Sequence, residues 1–385
     1  MRSGRSIWPA ALLCLVAASI QPAYATAHMP MVRVVNGCSL QAGAICPNWN
    51  FTNQQFTNEN LHSVDLKGSD FSVSRFTGVI FHNASLSNSV MILTEHKNTD
   101  FRDAALIGSN FSSATLEGAS FLGSTLTDAK FASVTMTNVT SFSAQWTRTN
   151  FSDSTIFSSS FRSVDLSDSR FEKAQIGASN FSQSTLLQVN FRQAKIFDAS
   201  SFSESRLDHS DFADSVMTDV DFSDALLPAT ILSGSSLSKV DFTGSDITGG
   251  YMIGVTSREG EFAEATMNGT DFTASDFSTP DLGVQARNDF TKAYLRAANF
   301  TDANLTSAWF AGADLTGSNF TGAKVSGANF AGADLRGVTL PQDAFDTRGR
   351  PRFTCDRNTK RDGALRTQLR RFCKGVRNVI YLQAK

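Results

Sequence analysis

Every fifth residue from Phe51 to Phe345 falls on an apolar position: of 59 such steps, 55 hold Phe, Leu, Ile, Met or Val. No other feature of the chain constrains its fold as strongly. The comb runs unbroken from Phe51 to Ile196, resumes one residue late from Phe202 to Leu282, and resumes three residues late from Phe290 to Phe345. Of the 32 Phe, 27 stand on these steps. A period of five is neither the 3.6 of a helix nor the 2 of a strand, so each step must be its own structural unit. Two positions before each step the residue is Ala, Ser, Thr, Val or Gly in 53 of 59 cases. One large and one small residue per step therefore point inward, as suits a chain that turns a corner every five residues around a narrow core.

Ala313-Asp314-Leu315-Thr316-Gly317 and Ala328-Asn329-Phe330-Ala331-Gly332 carry the unit A-(D/N)-L-x-x with the large residue central. Over residues 51–345 the chain resembles the pentapeptide-repeat family. The resemblance implies an all-β fold, a right-handed quadrilateral β-helix with one pentapeptide per side, twenty residues per coil and about 15 coils. It implies little about function, because that scaffold hosts several roles. A second period refines the expectation, since Phe101, Leu106, Phe111, Leu116, Phe121 and Leu126 alternate. Phe should then occupy one pair of opposite sides and aliphatic residues the other, ring over ring along the axis.

The ends read differently from the comb. Arg2 and Arg5 precede an apolar run from Ile7 to Ile20 and a small-x-small site at Ala23-Tyr24-Ala25, so residues 1–25 are expected to be a signal peptide. The protein is then exported, to the periplasm or beyond, and no segment is long enough for a membrane span. Beyond Cys14, the cysteines form two close pairs that flank the comb. One disulfide per end is expected, Cys38 with Cys46 and Cys355 with Cys373. A shared four-cysteine metal site is excluded, because some 15 turns at roughly 4.8 Å each put the ends about 70 Å apart. Residues 26–50 should cap the first coil and the basic segment 346–385 the last, with a short helix from Asp362 to Arg370 laying Leu365, Leu369 and Phe372 on the core. A loop or joint at 283–289 should separate two stretches of β-helix, 51–282 and 290–345.

Residues 26–340 carry 20 Lys plus Arg against 32 Asp plus Glu, while residues 341–385 carry 12 against 4. An acidic body and a basic tail can mark a nucleic-acid or membrane partner, or simply a solvated end cap. Sequons such as Asn110-Phe111-Ser112 and Asn299-Phe300-Thr301 arise from the repeat itself and should stay bare in a bacterial exported protein of this type.

Function is expected where the comb fails. His96 is a polar step, with Ile92 and Leu93 on outward positions. Ser141 is a polar step whose neighbour Phe142 carries the aromatic, and Trp146 fills the next one. Tyr251 lies beside its step in a Gly-rich stretch that also holds the polar step Ser257. Ile92, Leu93, His96, Phe142 and Tyr251 form the candidate interaction patch. No catalytic, cofactor-binding or metal-binding set is expected: the sequence holds no G-x-S-x-G, H-E-x-x-H or phosphate-cradling loop, and its five His have no ligand-like spacing.

These features favour a non-catalytic exported scaffold presenting an extended surface to a macromolecule, expected to be a protein. One alternative, implied by the resemblance, is a DNA-mimicking topoisomerase inhibitor, against which export and a charge density far below that of DNA both argue. Another is a β-helix that binds or cleaves polysaccharide, against which stands the lack of a Lys or Arg ladder on one side of the comb. Rods of this kind can also pair end to end.

Overall fold

The computed structural model describes residues 33–279, 287–345 and 351–363 apart from 357, together with residues 366, 369 and 373. The expected signal peptide and residues 280–286, with Leu282 among them, lie outside this set.

The chain winds as a parallel β-solenoid with four walls, each residue pairing with the one twenty positions on. Gln55–Thr57 lies beside Arg75–Thr77, which lies beside Glu95–Lys97, and so on. The resulting twelve-stranded sheet runs from β3 (Gln55–Thr57) to β14 (Thr256–Arg258), and single bridges carry the same wall on through Thr256, Asp276, Asn304 and Lys324. That wall has fourteen rungs, close to the expected coil number.

Each pentapeptide turns its corner the same way. Its large residue is inward, and two positions later the backbone takes a left-handed φ, as at Asn53 (φ 56), Asp103 (φ 54) and Asp168 (φ 61). Asn, Asp and Gly tolerate that conformation best, which explains their frequency there. At Gly118 the requirement is double: φ is +64 and an added Cβ would collide with the Asn98 side chain one rung below.

The large residues are nearly all fully buried. We number the walls by their first large residues: Phe51 on wall 1, Phe56 on wall 2, Leu61 on wall 3 and Leu66 on wall 4. Phe rings stack along walls 1 and 3, as in Phe111–Phe131 (4.7 Å, 13°) and Phe101–Phe121 (4.9 Å, 8°). Across the core the two columns meet edge to face, as in Phe101–Phe111 (5.8 Å, 86°). The expected alternation of Phe and aliphatic walls is present. Many inward Ser hydroxyls donate to backbone, as where Ser74 donates to the Phe51 carbonyl at 2.9 Å, while those of Ser89, Ser109, Ser154, Ser215 and Ser235 are buried without a partner.

Two coils are longer than twenty residues. One extra residue is absorbed by consecutive left-handed residues, Asp198 and Ala199, before Ser200–Ser201 rejoins the sheet. Eight extra residues enter between Phe277 and Phe290, since Glu261 pairs with Asp289 and Thr266 with Tyr294 at a spacing of 28. Pairing continues directly across this insertion, so the described coils form one stack.

Both ends are covered. An antiparallel hairpin of β1 (Arg33–Val35) and β2 (Cys38–Leu40) closes the first coil, tied by the Cys38–Cys46 disulfide. At the other end the comb stops short of Phe345. Asp343 occupies an inward small position that a charge cannot take, so the chain makes a 3-10 turn over Gln342–Ala344, which exposes Asp343 and buries Ala344. Residues 351–360 then supply the last rungs, Thr354 pairing with Asn329 and Lys360 with Asp334. The Cys355–Cys373 disulfide is formed, Gly363, Arg366 and Leu369 are helical, and Leu369 is buried as expected. Leu365 and Phe372 lie outside the described residues.

Candidate interaction surface

Each polar tooth of the comb is accommodated inside the core. His96 stacks on Phe76 at 4.6 Å and 2°, and is 2% exposed. Its Nε2 lies 3.0 Å from Thr94 Oγ1, and the Thr94 hydroxyl donates to the Met91 carbonyl at 2.6 Å. Since that proton is already committed, His96 must donate from Nε2, leaving Nδ1 as a buried acceptor with no partner. Burial pushes the imidazole pKa down to about 3, so the ring is neutral. Sealed among Phe rings, His96 meets no partner molecule, and its place in the candidate patch is corrected.

The second fault is an exchange between walls. Ser141 leaves a gap in the Phe column of wall 3, and Trp146 on wall 4 fills it, packing on Phe121 (5.2 Å), Phe131 (5.0 Å) and Phe161 (5.8 Å). The indole N–H donates to Ser141 Oγ. The third is Ser257 on wall 2, whose hydroxyl donates to Asn288 Oδ1 at 2.7 Å. Asn288, fully buried at the end of the insertion, also accepts from Gly260 N (3.0 Å) and donates to the carbonyls of Ser257 (3.0 Å) and Phe277 (2.7 Å). All four of its hydrogen-bonding positions are used.

Outside, the remaining patch residues separate. Leu93 (57% exposed) stands one rung from Val73 (55%) at the corner of walls 1 and 2, with Ile92 half-buried beside it. Tyr251 (47%) also belongs to wall 1, flanked by Ile231 and Ile253, but eight rungs further along, about 38 Å at the usual strand spacing. Phe142 (51%) projects from wall 3, the opposite wall, one rung from Leu122. These are three small apolar spots on one rigid rod, not one patch.

Sequence reasoning missed what lies twenty residues away. Asp221, Asp241, Glu261 and Asp289 occupy successive rungs of wall 3. Glu261 is pushed up from the usual carboxylate range, by desolvation first and then by Asp241 and Asp289 on either side. Across the molecule, at the corner of walls 4 and 1, Asp128, Lys130, Arg148, Asn150, Asp168, Arg170, Gln188 and Asn190 line an open trough of about 780 Å³. Reading the sequence in steps of twenty would have found the trough and the first three of these carboxylates, while Asp289 follows at a step of 28. Among the described residues, no three of His, Cys, Asp and Glu are grouped to hold a metal ion, and no helix is long and apolar enough to cross a membrane.

A four-sided parallel solenoid with one pentapeptide per wall defines the class. The family signature for pentapeptide repeats matches residues 55–91, 97–138, 221–256 and 298–337 in eight copies, and that for a pentapeptide repeat region matches 154–230. The chain belongs to the pentapeptide-repeat family. Among solved structures it is similar to HetL, a pentapeptide repeat protein involved in heterocyst differentiation regulation from the cyanobacterium Nostoc sp. strain PCC 7120. There the identity is 17% over 74% of this chain and 91% of that one, with a TM-score of 0.20. Full-length QnrB1, a plasmid-mediated fluoroquinolone resistance protein, is 20% identical over 59% of this chain and 90% of that one, with a TM-score of 0.25. A pentapeptide repeat protein from the Arabidopsis thaliana thylakoid lumen is 20% identical over 33% and 68%, with a TM-score of 0.10. No curated protein matches the chain in sequence.

Proposed function

We propose that this chain is a non-catalytic, exported scaffold whose outer walls dock another protein. The observation that carries the reading is the fault at Ser141. The core there is completed by Trp146, while the aromatic Phe142 is held outside, half exposed, on a rigid wall. A regular rung would have placed Phe inward and a short polar residue outward. Exposed apolar side chains on a rigid frame are suited to protein contacts. Leu93 with Val73, and Tyr251 with Ile253, add two further spots of the same kind. The titratable group with the largest displacement toward neutrality, His96, is sealed away from any substrate. Two disulfides and the leader-like sequence support export.

The test is site-specific photo-crosslinking in intact cells, with the photoreactive residue at Leu93, Phe142 or Tyr251 and a control at Thr127 on a plain stretch of wall 4. A discrete protein adduct from one of the three positions and none from Thr127 is expected. Identical, adduct-free patterns from all four positions would overturn the reading.

A further inference from the structure

The trough at the corner of walls 4 and 1 goes beyond a protein-docking role. Its wall 1 bank is a single in-register column, Lys130, Asn150, Arg170 and Asn190, joined rung to rung by parallel bridges. Asn150 Oδ1 accepts both the amide (2.9 Å) and the hydroxyl (2.7 Å) of Ser152, and Asn190 Oδ1 accepts from Arg192 N at 2.9 Å. Asn150 thus commits both lone pairs of its oxygen and Asn190 one of its two, and both amides keep their NH2 to donate. Lys130 and Arg170 make no ion pair with any described residue. One bank therefore offers four donor groups at one per rung, about 4.8 Å apart, with full positive charge on every second rung.

The wall 4 bank is different in kind. Arg148 is closed onto Asp128 by two bonds of 2.7 and 2.8 Å. Asp168 and Gln188 follow on the next rungs, and Asp168 makes no ion pair among the described residues. This bank offers acceptors suited to hydroxyl groups.

From these two banks we infer that the trough binds a linear acidic glycan carrying a carboxylate on alternate sugars. An extended pyranose spans about one rung, so carboxylates on alternate sugars fall on Lys130 and Arg170. The neutral sugars between them meet the NH2 groups of Asn150 and Asn190, and ring hydroxyls meet Asp168 and Gln188. A nucleic-acid strand fits less well. Its phosphates carry charge on every unit, Asp168 would oppose them, and none of the ten lining residues is an aromatic on which a base could stack.

The test uses the full mature chain with its disulfides intact and calorimetric titration at low and moderate salt. The probes are a hexasaccharide of alternating glucuronate and N-acetylglucosamine, its carboxyl-reduced counterpart, and a single-stranded oligonucleotide. The alternating hexasaccharide should bind, with affinity that falls as salt rises. Lys130→Gln and Arg170→Gln should each weaken it about tenfold, a loss typical of one charge-assisted contact. Lys292→Gln, which removes an ion pair with Glu264 several coils away from the trough, should leave it unchanged. All three variants should melt like the parent, since the targeted side chains support no core contact. No binding of the hexasaccharide, equal binding of its carboxyl-reduced form, unchanged affinity in the Lys130 and Arg170 variants, or tighter binding of the oligonucleotide would each overturn the assignment.

Discussion

At the scale of single residues, the molecule shows how a repeat tolerates errors. His96 is held neutral in a Phe-lined core, whereas in the unfolded chain it titrates near 6.5. Between pH 6.5 and about 3 the unfolded state binds more protons, so stability falls as pH drops through that window. His96→Leu restores the residue type that Leu116 places on the next rung of the same wall, and it removes the unpartnered Nδ1. We expect the variant to be up to about 1 kcal/mol more stable than the parent at pH 7. Its advantage should grow to on the order of 3 kcal/mol at pH 4. Urea titrations at the two pH values would show it, and an advantage independent of pH would refute the account. Ser141 and Trp146 make a separable case. Ser141→Phe alone must collide with the indole and should cost about 1–3 kcal/mol. Trp146→Leu alone leaves a cavity beside an orphaned hydroxyl and should cost about 2–4 kcal/mol. The double substitution restores a regular rung and should recover most of both losses, giving a coupling of at least about 2 kcal/mol in a double-mutant cycle. Additive costs would mean that the two residues do not share one space. The faults were legible in the sequence, because a polar residue on an apolar comb is visible. Their repairs were not, because Trp146 fills its gap from the adjoining wall and Asn288 reaches Ser257 from beyond the insertion.

At the scale of the element, the coil behaves as a module whose length can change if its inward residues return to register. Asn288 and Phe290 stand where the small and large inward residues of the next pentapeptide belong, so the eight residues 280–287 are additional to the coil. Deleting them joins Thr279 to Asn288 and re-creates an unbroken comb from Phe277 to Phe290. The truncated protein should fold with stability within about 1 kcal/mol of the parent, since closing a loop of this size is a small entropic term. Among the described residues, loss of the Arg287 stack on Trp309 (4.0 Å) counts against it. Failure of the deletion variant to fold would show that the segment builds the core. The interruption was visible in the sequence but its first edge was not, because Leu282 falls on the five-residue beat while the register skips from Phe277 to Phe290. The end cap offers a second test. Asp334 accepts from Arg336 and Lys360, its side chain 8% exposed, and Arg336 first among its neighbours draws its pKa down to about 2. Stability from this carboxylate is present above its unfolded pKa near 3.8 and is lost as pH falls through about 2. Because Arg336 and Lys360 are 54% and 64% exposed, solvent screening should hold the effect to about 1 kcal/mol. Asp334→Asn should therefore speed hydrogen exchange at the Lys360 amide, which bonds to the Ala333 carbonyl, and should do so at pH 6 but not at pH 2. An equal effect at both values would assign the change to packing.

At the scale of the whole molecule, each coil touches only its neighbours, so stability is a sum along the axis and the ends are its weak points. This is why the fold was so legible: a five-residue pattern repeated along most of the chain determines wall number, core content and ring stacking together. The lateral surface was not legible, because what meets on it is set by residues twenty or twenty-eight apart. The same one-dimensional logic predicts how the protein comes apart. The Cys38–Cys46 and Cys355–Cys373 disulfides close segments of 8 and 18 residues, worth about 2.5 and 3 kcal/mol in a chain-entropy account. Each acts on a cap and none spans the rod. Reduction should therefore raise hydrogen exchange in the β1–β2 hairpin with the first rungs, and in residues 351–360 with the last rungs, while amides on the central rungs, such as Phe151 and Phe171, keep their protection. Once a cap opens, the exposed Phe column loses its cover on one side only, so fraying should advance rung by rung instead of melting the rod at once. Exchange followed by mass spectrometry before and after reduction distinguishes the two outcomes. A uniform rise along the chain would mean that the disulfides stabilise the rod globally, which nearest-neighbour stacking does not allow.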